Sequence, residues 1–163
     1  MNPSTADLQN LLQLLIAEHE KLLVQLDVQQ AAMKTLDLKQ LDDCARQQDG
    51  LRHRIATLET RRRQIVTHLA RMLRIDGPPT LAGIADKLPQ DRARLLALRD
   101  RLRALVSKAS NRATVTSRVA NALVGHLNTA VRLLAGAVAQ AGVYTKQGTA
   151  QAPQRIGRLE AVG

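Results

Sequence analysis

The stretch LQNLLQLLIAEHEKLLVQLDVQQAAMKTL, residues 8–36, places apolar side chains at Leu8, Leu12, Leu15, Leu22, Leu26, Met33 and Leu36. His19 and Gln29 occupy the two missing beats of the same 4-3 spacing. That spacing draws one stripe along a helix, so the segment is a heptad-like seam with two polar interruptions. Before it, Ser4-Thr5-Ala6-Asp7 has the form of a capping box, in which a hydroxyl and a carboxylate three residues on satisfy free N–H groups at a helix start.

Asp37-Leu38-Lys39-Gln40 offers a second box, so the chain is expected to bend at residues 35–38 and start again. The second pattern runs Leu41, Cys44, Gln48, Leu51, Ile55, Leu58, Arg62, Ile65, Leu69 and Met72. Asp76-Gly77-Pro78-Pro79 is expected to end it, Gly77 supplying a left-handed cap and proline forbidding continuation. At 1.5 Å per residue the first helix is about 45 Å long and the second about 50 Å. Residues 80–88 read as a short helical turn with Thr80 as N-cap and Leu81, Ile84 and Leu88 on one side. Pro89 then opens a third long helix where a missing N–H costs nothing, with Asp91 favourably placed for the dipole.

The third helix changes character along its length. Leu95, Leu98, Leu102 and Leu105 keep the seam, flanked by Arg and Asp. From Ala113 to Gly142 the only ionisable residues are Arg118, His126 and Arg132, and apolar residues cover much more than one stripe. A helix that is apolar nearly all round must be covered on several sides. A second helix of about 37 residues cannot flank a third of about 52 over its whole length. Either the third helix breaks near Ser110-Asn111, or its apolar end offers surface to something outside the monomer.

Composition agrees with an all-α reading. The chain has 163 residues, 45% of them apolar, enough for one domain. Its apolar residues are nearly all Leu, Ala, Val and Ile, and Tyr144 is the one aromatic side chain, which predicts a thin core between a few helices. The expected fold is an elongated antiparallel bundle of three long helices, about 5–35, 38–75 and 90–141, with a short linker helix at 80–88. Residues 1–144 form a single helical domain in this reading, and residues 145–163 a flexible C-terminal tail, polar and mobile in composition.

Charge is unevenly spread over a net +10. Residues 1–37 carry five acidic and two basic side chains, net −3, which leaves +13 on the remainder. No Asp or Glu stands between Asp100 and Glu160. An acidic partner or nucleic acid would suit that asymmetry. Against nucleic acid, the Arg residues, including Arg61-Arg62-Arg63, are spread around helices and have no aromatic neighbours for base stacking. Cys44 stands alone, which excludes an internal disulfide. The N-terminal segment lacks the basic region of a signal peptide, and no stretch reaches the roughly 20 apolar residues of a membrane span. A cytoplasmic protein without membrane insertion is expected.

Chemistry-bearing patterns are scarce. His19, His53, His68 and His126 show no metal-ligand spacing, and Glu18-His19-Glu20 reads as a seam histidine between solvated carboxylates. With no phosphate loop, nucleophile elbow or paired-carboxylate motif, the expectation is no enzyme, no catalytic residues, no metal and no cofactor. Asn111, Asn121 and Asn128 interrupt the third helix at up to ~0.7 kcal/mol each, either as register-setting residues in a bundle or as groups that hydrogen-bond to a partner's backbone. Tyr144, followed by Thr145-Lys146-Gln147-Gly148, is either a contact that caps the helix end or an exposed anchor for a partner's pocket.

These pieces together resemble the FlgN family of flagellar export chaperones: two N-terminal helices with Leu-rich seams, the linker Pro79-Thr80-Leu81-Ala82-Gly83-Ile84, a long helix with spaced Asn residues, and a tail tyrosine four residues before Gly148. The likeness covers most of the chain. It implies a small cytoplasmic chaperone of the type III flagellar secretion system that binds hook-filament junction (hook-associated) proteins and delivers them to the export gate. The client surface it implies lies on residues 113–141, with Val119, Leu123, Leu127, Val131, Leu134, Val138, Asn121 and Asn128 as candidate contacts, and Tyr144 as the candidate contact with the gate. Thr145-Lys146-Gln147 departs from the small, acidic-containing turn common in the family. Two other classes fit the residues alone: a structural coiled-coil adaptor that buries its apolar end in a homo-oligomer, and a basic nucleic-acid-binding helical protein.

Overall fold

A computed structural model describes the backbone of residues 3–141 and the side chains of residues 5–137. Those residues form four helices, α1 (Pro3–Thr35), α2 (Leu38–Met72), α3 (Leu81–Lys87) and α4 (Pro89–Ala141), and no strand. The fold is all-α. The chain divides into two compact units, one of residues 1–119 and one from residue 120 onward, with the boundary inside α4. α4 passes Ser110-Asn111 without a break.

The joints between helices differ in part from their sequence signals. α1 begins at Pro3, so Ser4 lies inside the helix and not at its N-cap. Asp37 does cap α2: its side chain accepts from the Gln40 N–H at 2.9 Å. It also closes α1, because Asp37 N–H donates to the Ala32 carbonyl and Leu36 N–H to that of Met33. This is a Schellman motif with Leu36 at φ 53°, a left-handed position usually given to glycine. Leu36 is therefore not the last beat of the seam; it is a turn residue and 52% exposed.

α2 ends the same way. Arg74, at φ 49°, donates to the Arg71 carbonyl, and Ile75 N–H donates to Ala70. The helix stops at Met72 and not at residue 75, and the left-handed cap is Arg74, three residues ahead of Gly77. Met72 is 51% exposed, while Val66 and Ala70 are buried beside Leu69. Thr80 caps α3 through its hydroxyl, which accepts from Gly83 N–H at 3.1 Å.

In the first unit all four helices feed one core: Leu8, Leu12, Leu15 and Ile16 from α1, Val66 and Leu69 from α2, Leu81, Ile84 and Ala85 from α3, Leu95 and Leu102 from α4. A smaller cluster joins Leu23 and Leu26 to Ala109. The polar beats of the two seams meet, since Gln48 Nε2 donates to Gln29 Oε1 at 2.8 Å. A buried polar pair of this kind fixes the register of apolar helices that could otherwise slide. His19, also buried, satisfies itself locally, with Nδ1 2.8 Å from the Leu15 carbonyl oxygen.

Polar contacts order the helices along their lengths. Between α1 and α2 the pairs are Gln29–Gln48 and Glu18–Arg54, stepping in opposite directions. Between α1 and α4 they are Gln9–Asp91, Glu20–Arg101 and Asp27–Arg112, stepping in the same direction. Asp91 does more than meet the helix dipole, because it is buried and accepts from Gln9 Nε2 at 3.1 Å.

Candidate protein-binding surface

The 3-4 spacing that runs through Leu95, Leu98, Leu102, Leu105 and Ala109 does not stop where the first unit ends. Thr116, Ala120, Leu123, Leu127, Val131 and Leu134 keep it. Up to Thr116 the beats are buried or half-buried; in the second unit every described side chain from Val124 to Ala137 is exposed. Leu127 is 54%, Val131 63% and Leu134 67% exposed. Each leaves apolar area in water that a neighbour's helix would cover at about 25 cal/mol per Å².

Among the residues expected to bind a partner, Val119 is half-buried in the first unit and Leu123 half-buried in the second. Asn121 and Asn128 are exposed, with no side-chain hydrogen bond among the described residues. The second unit brings Leu123, Leu127, Val131 and Leu134 into one stripe, and Asn128 and Asn121 lie beyond it, about 105° and 125° around the helix from its centre. The Val138 side chain and all of Tyr144 lie outside the described residues, as does the proposed tail. Two apolar residues of the same surface were missing from that set, Val124 and Leu133, of which Leu133 is 70% exposed. Their apolar character was the available signal, but they fall off the seam.

Cations flanking α4 divide into two kinds. Arg101 donates to Glu20 at 2.7 Å, and Arg112 lies 3.3 Å from an Asp27 oxygen and 3.4 Å from Gln30 Oε1, so α1 carboxylates and amides answer them. Arg103, Lys108, Arg118 and Arg132 have no carboxylate partner among the described residues. Elsewhere in the first unit Glu18 is the most engaged acid. Lys21 Nζ at 2.6 Å and Arg54 Nε at 2.8 Å hold its largely buried carboxyl below the ordinary value, against the opposing effect of desolvation. Burial, helped by Asp43, pushes the Cys44 thiol up and keeps it protonated.

Open recesses occur at Ala104, Ser107, Lys108, Asn111, Arg112 and Val115 on α4, about 600 Å³, and between α1 and α2 around Gly50, about 330 Å³. Among the described residues no group of three His, Cys, Asp or Glu side chains is placed to hold a metal ion. No described helix is long and apolar enough to cross a membrane. The chemistry available at the surface of α4 is thus apolar burial, amide hydrogen bonding and cationic pairing.

The described elements are all helical, and α4 buries one half of an apolar stripe and leaves the other half bare. A family model described as FlgN protein matches residues 1–152, and the chain belongs to the FlgN family of flagellar export chaperones. No curated protein and no solved structure matches it.

Proposed function

We propose that this chain is a non-enzymatic, cytoplasmic chaperone that binds hook-filament junction proteins and delivers them to the flagellar type III export gate. The observation that carries the reading is the bare continuation of the α4 stripe through Leu127, Val131 and Leu134, beyond half-buried Leu123. Axial subunits awaiting export carry disordered amphipathic termini, and such a segment can fold onto an open helix face in the helix-in-groove manner. Ordering the client costs entropy, which keeps affinity modest and release easy.

The same reading takes residues 1–144 as one functional domain, with the three long helices in an elongated up-down-up bundle. The opposite stepping of α1 and α2 and the common stepping of α1 and α4 support the up-down-up order. Tyr144 is proposed as the contact with the gate. Tyr144→Ala then spares helicity and client capture and weakens binding to the isolated gate domain.

The test of the client surface is a pull-down of purified junction proteins with Leu127→Asp and Leu134→Asp. Both substitutions are expected to abolish the complex while circular dichroism shows unchanged helicity. Unchanged client affinity in both removes the assignment. A second reading, a homo-oligomer that covers the stripe with another copy, also draws on the bare stripe; sedimentation equilibrium separates it by a dimer that binds no junction protein.

A further inference from the structure

Val124 and Leu133 stand nine residues apart on α4, which at about 100° per residue puts them on opposite sides of the helix. Val124 is 57% and Leu133 70% exposed, and the exposed Leu127 and Leu134 lie on the arc between them. The apolar face of the second unit thus extends about 180° around the helix, well beyond the roughly 100° stripe that packs against one neighbouring layer. Ala130 and Ala137 fill the Leu133 side of that arc, with His126 as its one ionisable residue. Asn121, Asn128, Thr129 and Arg132 fall in the remaining sector.

The first unit shows what so wide an arc needs. Leu96 and Leu105 are also nine residues apart on α4, and both are half-buried against the main core. Side chains of α1, α2 and α3 build that core with those of α4, so opposite sides of the helix are covered there by more than one neighbour. From this precedent we propose that the second unit is covered by two helical segments of one client at once, one over the Val124 flank and one over the Leu133 flank. The proposal rests on the chaperone reading of this face and specifies the form of its client, a pair of apolar-striped helices.

Geometry selects this occupant over a second copy. A closed two-fold pair lays one equivalent helix on the face of the other. One helix centred on Leu127 and Leu134 leaves Leu133 in water, and one centred on Leu133 leaves Val124 in water on the far side.

Two synthetic probes test this. The first is an amphipathic peptide of about 20 residues with one leucine stripe, which matches the ~27 Å of residues 120–137. The second is the same peptide in tandem through a flexible Gly-Ser linker. Titration calorimetry with the full chain should give two single peptides, or one tandem, per chain. The tandem should bind about a hundredfold more tightly, because its second helix docks intramolecularly. Val124→Asp and Leu133→Asp should each lower the single-peptide stoichiometry to one and remove the tandem's gain, with helicity unchanged by circular dichroism.

One peptide per unaltered chain, a tandem no tighter than the single peptide, or full tandem affinity in either flank variant overturns the two-helix inference. The chaperone face survives such a result if Leu127→Asp abolishes single-peptide binding, and falls with it if Leu127→Asp leaves that binding intact. Binding of neither probe, or a dimer whose formation requires Leu127, also overturns the proposal.

Discussion

Leu102 and Leu127 stand on beats of one 3-4 pattern in one helix, yet Leu102 is 9% exposed and Leu127 54%. The difference lies in what faces them. Around Leu102 the chain supplies its own cover, Leu-rich and acidic, from α1; from Val124 to Ala137 no described side chain is covered. The same local sequence rule therefore yields structural core in one unit and exposed apolar surface in the other. A buried stripe contributes to folding, and a bare one keeps its apolar free energy for a partner.

The largest expected effect comes from truncating the two halves of the stripe. Leu102→Ala, or Leu69→Ala in the same core, should cost about 2–5 kcal/mol in urea unfolding. Leu134→Ala, 67% exposed, should stay within about 0.5 kcal/mol. A Leu134→Ala variant destabilised as much as Leu102→Ala would break the comparison, because it would mean the second half is buried in the free protein.

Electrostatics sharpen the contrast within the first unit. Glu18 is held below its ordinary value of 4.5 by Lys21 and Arg54. A depressed carboxyl stabilises the fold fully above that ordinary value and loses the contribution as pH falls through its folded value, below 4.5. Glu18→Gln should cost about 1 kcal/mol at neutral pH and show a shallower loss of stability on acidification. An unchanged acid limb would show that the pairing does not matter to folding.

Glycines provide a smaller test in the opposite direction. A Cβ built on Gly125 or Gly136 meets nothing within 4 Å, so Ala at either position should stabilise α4 by up to about 1 kcal/mol. At Gly83 a Cβ would come within 3.2 Å of the Thr80 hydroxyl that caps α3, so Gly83→Ala should not stabilise. Smallest of all, Leu36→Gly and Arg74→Gly should each add about 0.5 kcal/mol by relieving a left-handed position, read as a small rise in Tm.

Much of the fold was legible because its signals are periodic or local. The 4-3 beats placed α1 and α2, Asp37, Thr80 and Pro89 marked starts, and Gln29 and Gln48 stood out as polar beats before they proved to pair. Helix ends were less legible, since a Schellman turn is closed by backbone bonds, and Leu36 and Arg74 carry no composition cue for a left-handed conformation. Buried Asp91 and Glu18 were missed for a related reason: their partners Gln9 and Arg54 come from other helices, where spacing along one helix is silent. The candidate surface was legible as excess apolar length covering more than one stripe, but Val124 and Leu133 were left out of the candidate contacts because they fall off the seam, and both are exposed.

The central claim, and the one the proposed function rests on, is that residues 124–134 are bare in the free protein and covered by a client. Hydrogen exchange of the intact chain, alone and with a purified junction protein, tests it most directly. The account predicts added protection centred on Leu123 to Leu134, with residues 95–116 of the same helix unchanged. Protection confined to the first unit, or no change anywhere in α4 while the complex forms, would contradict it.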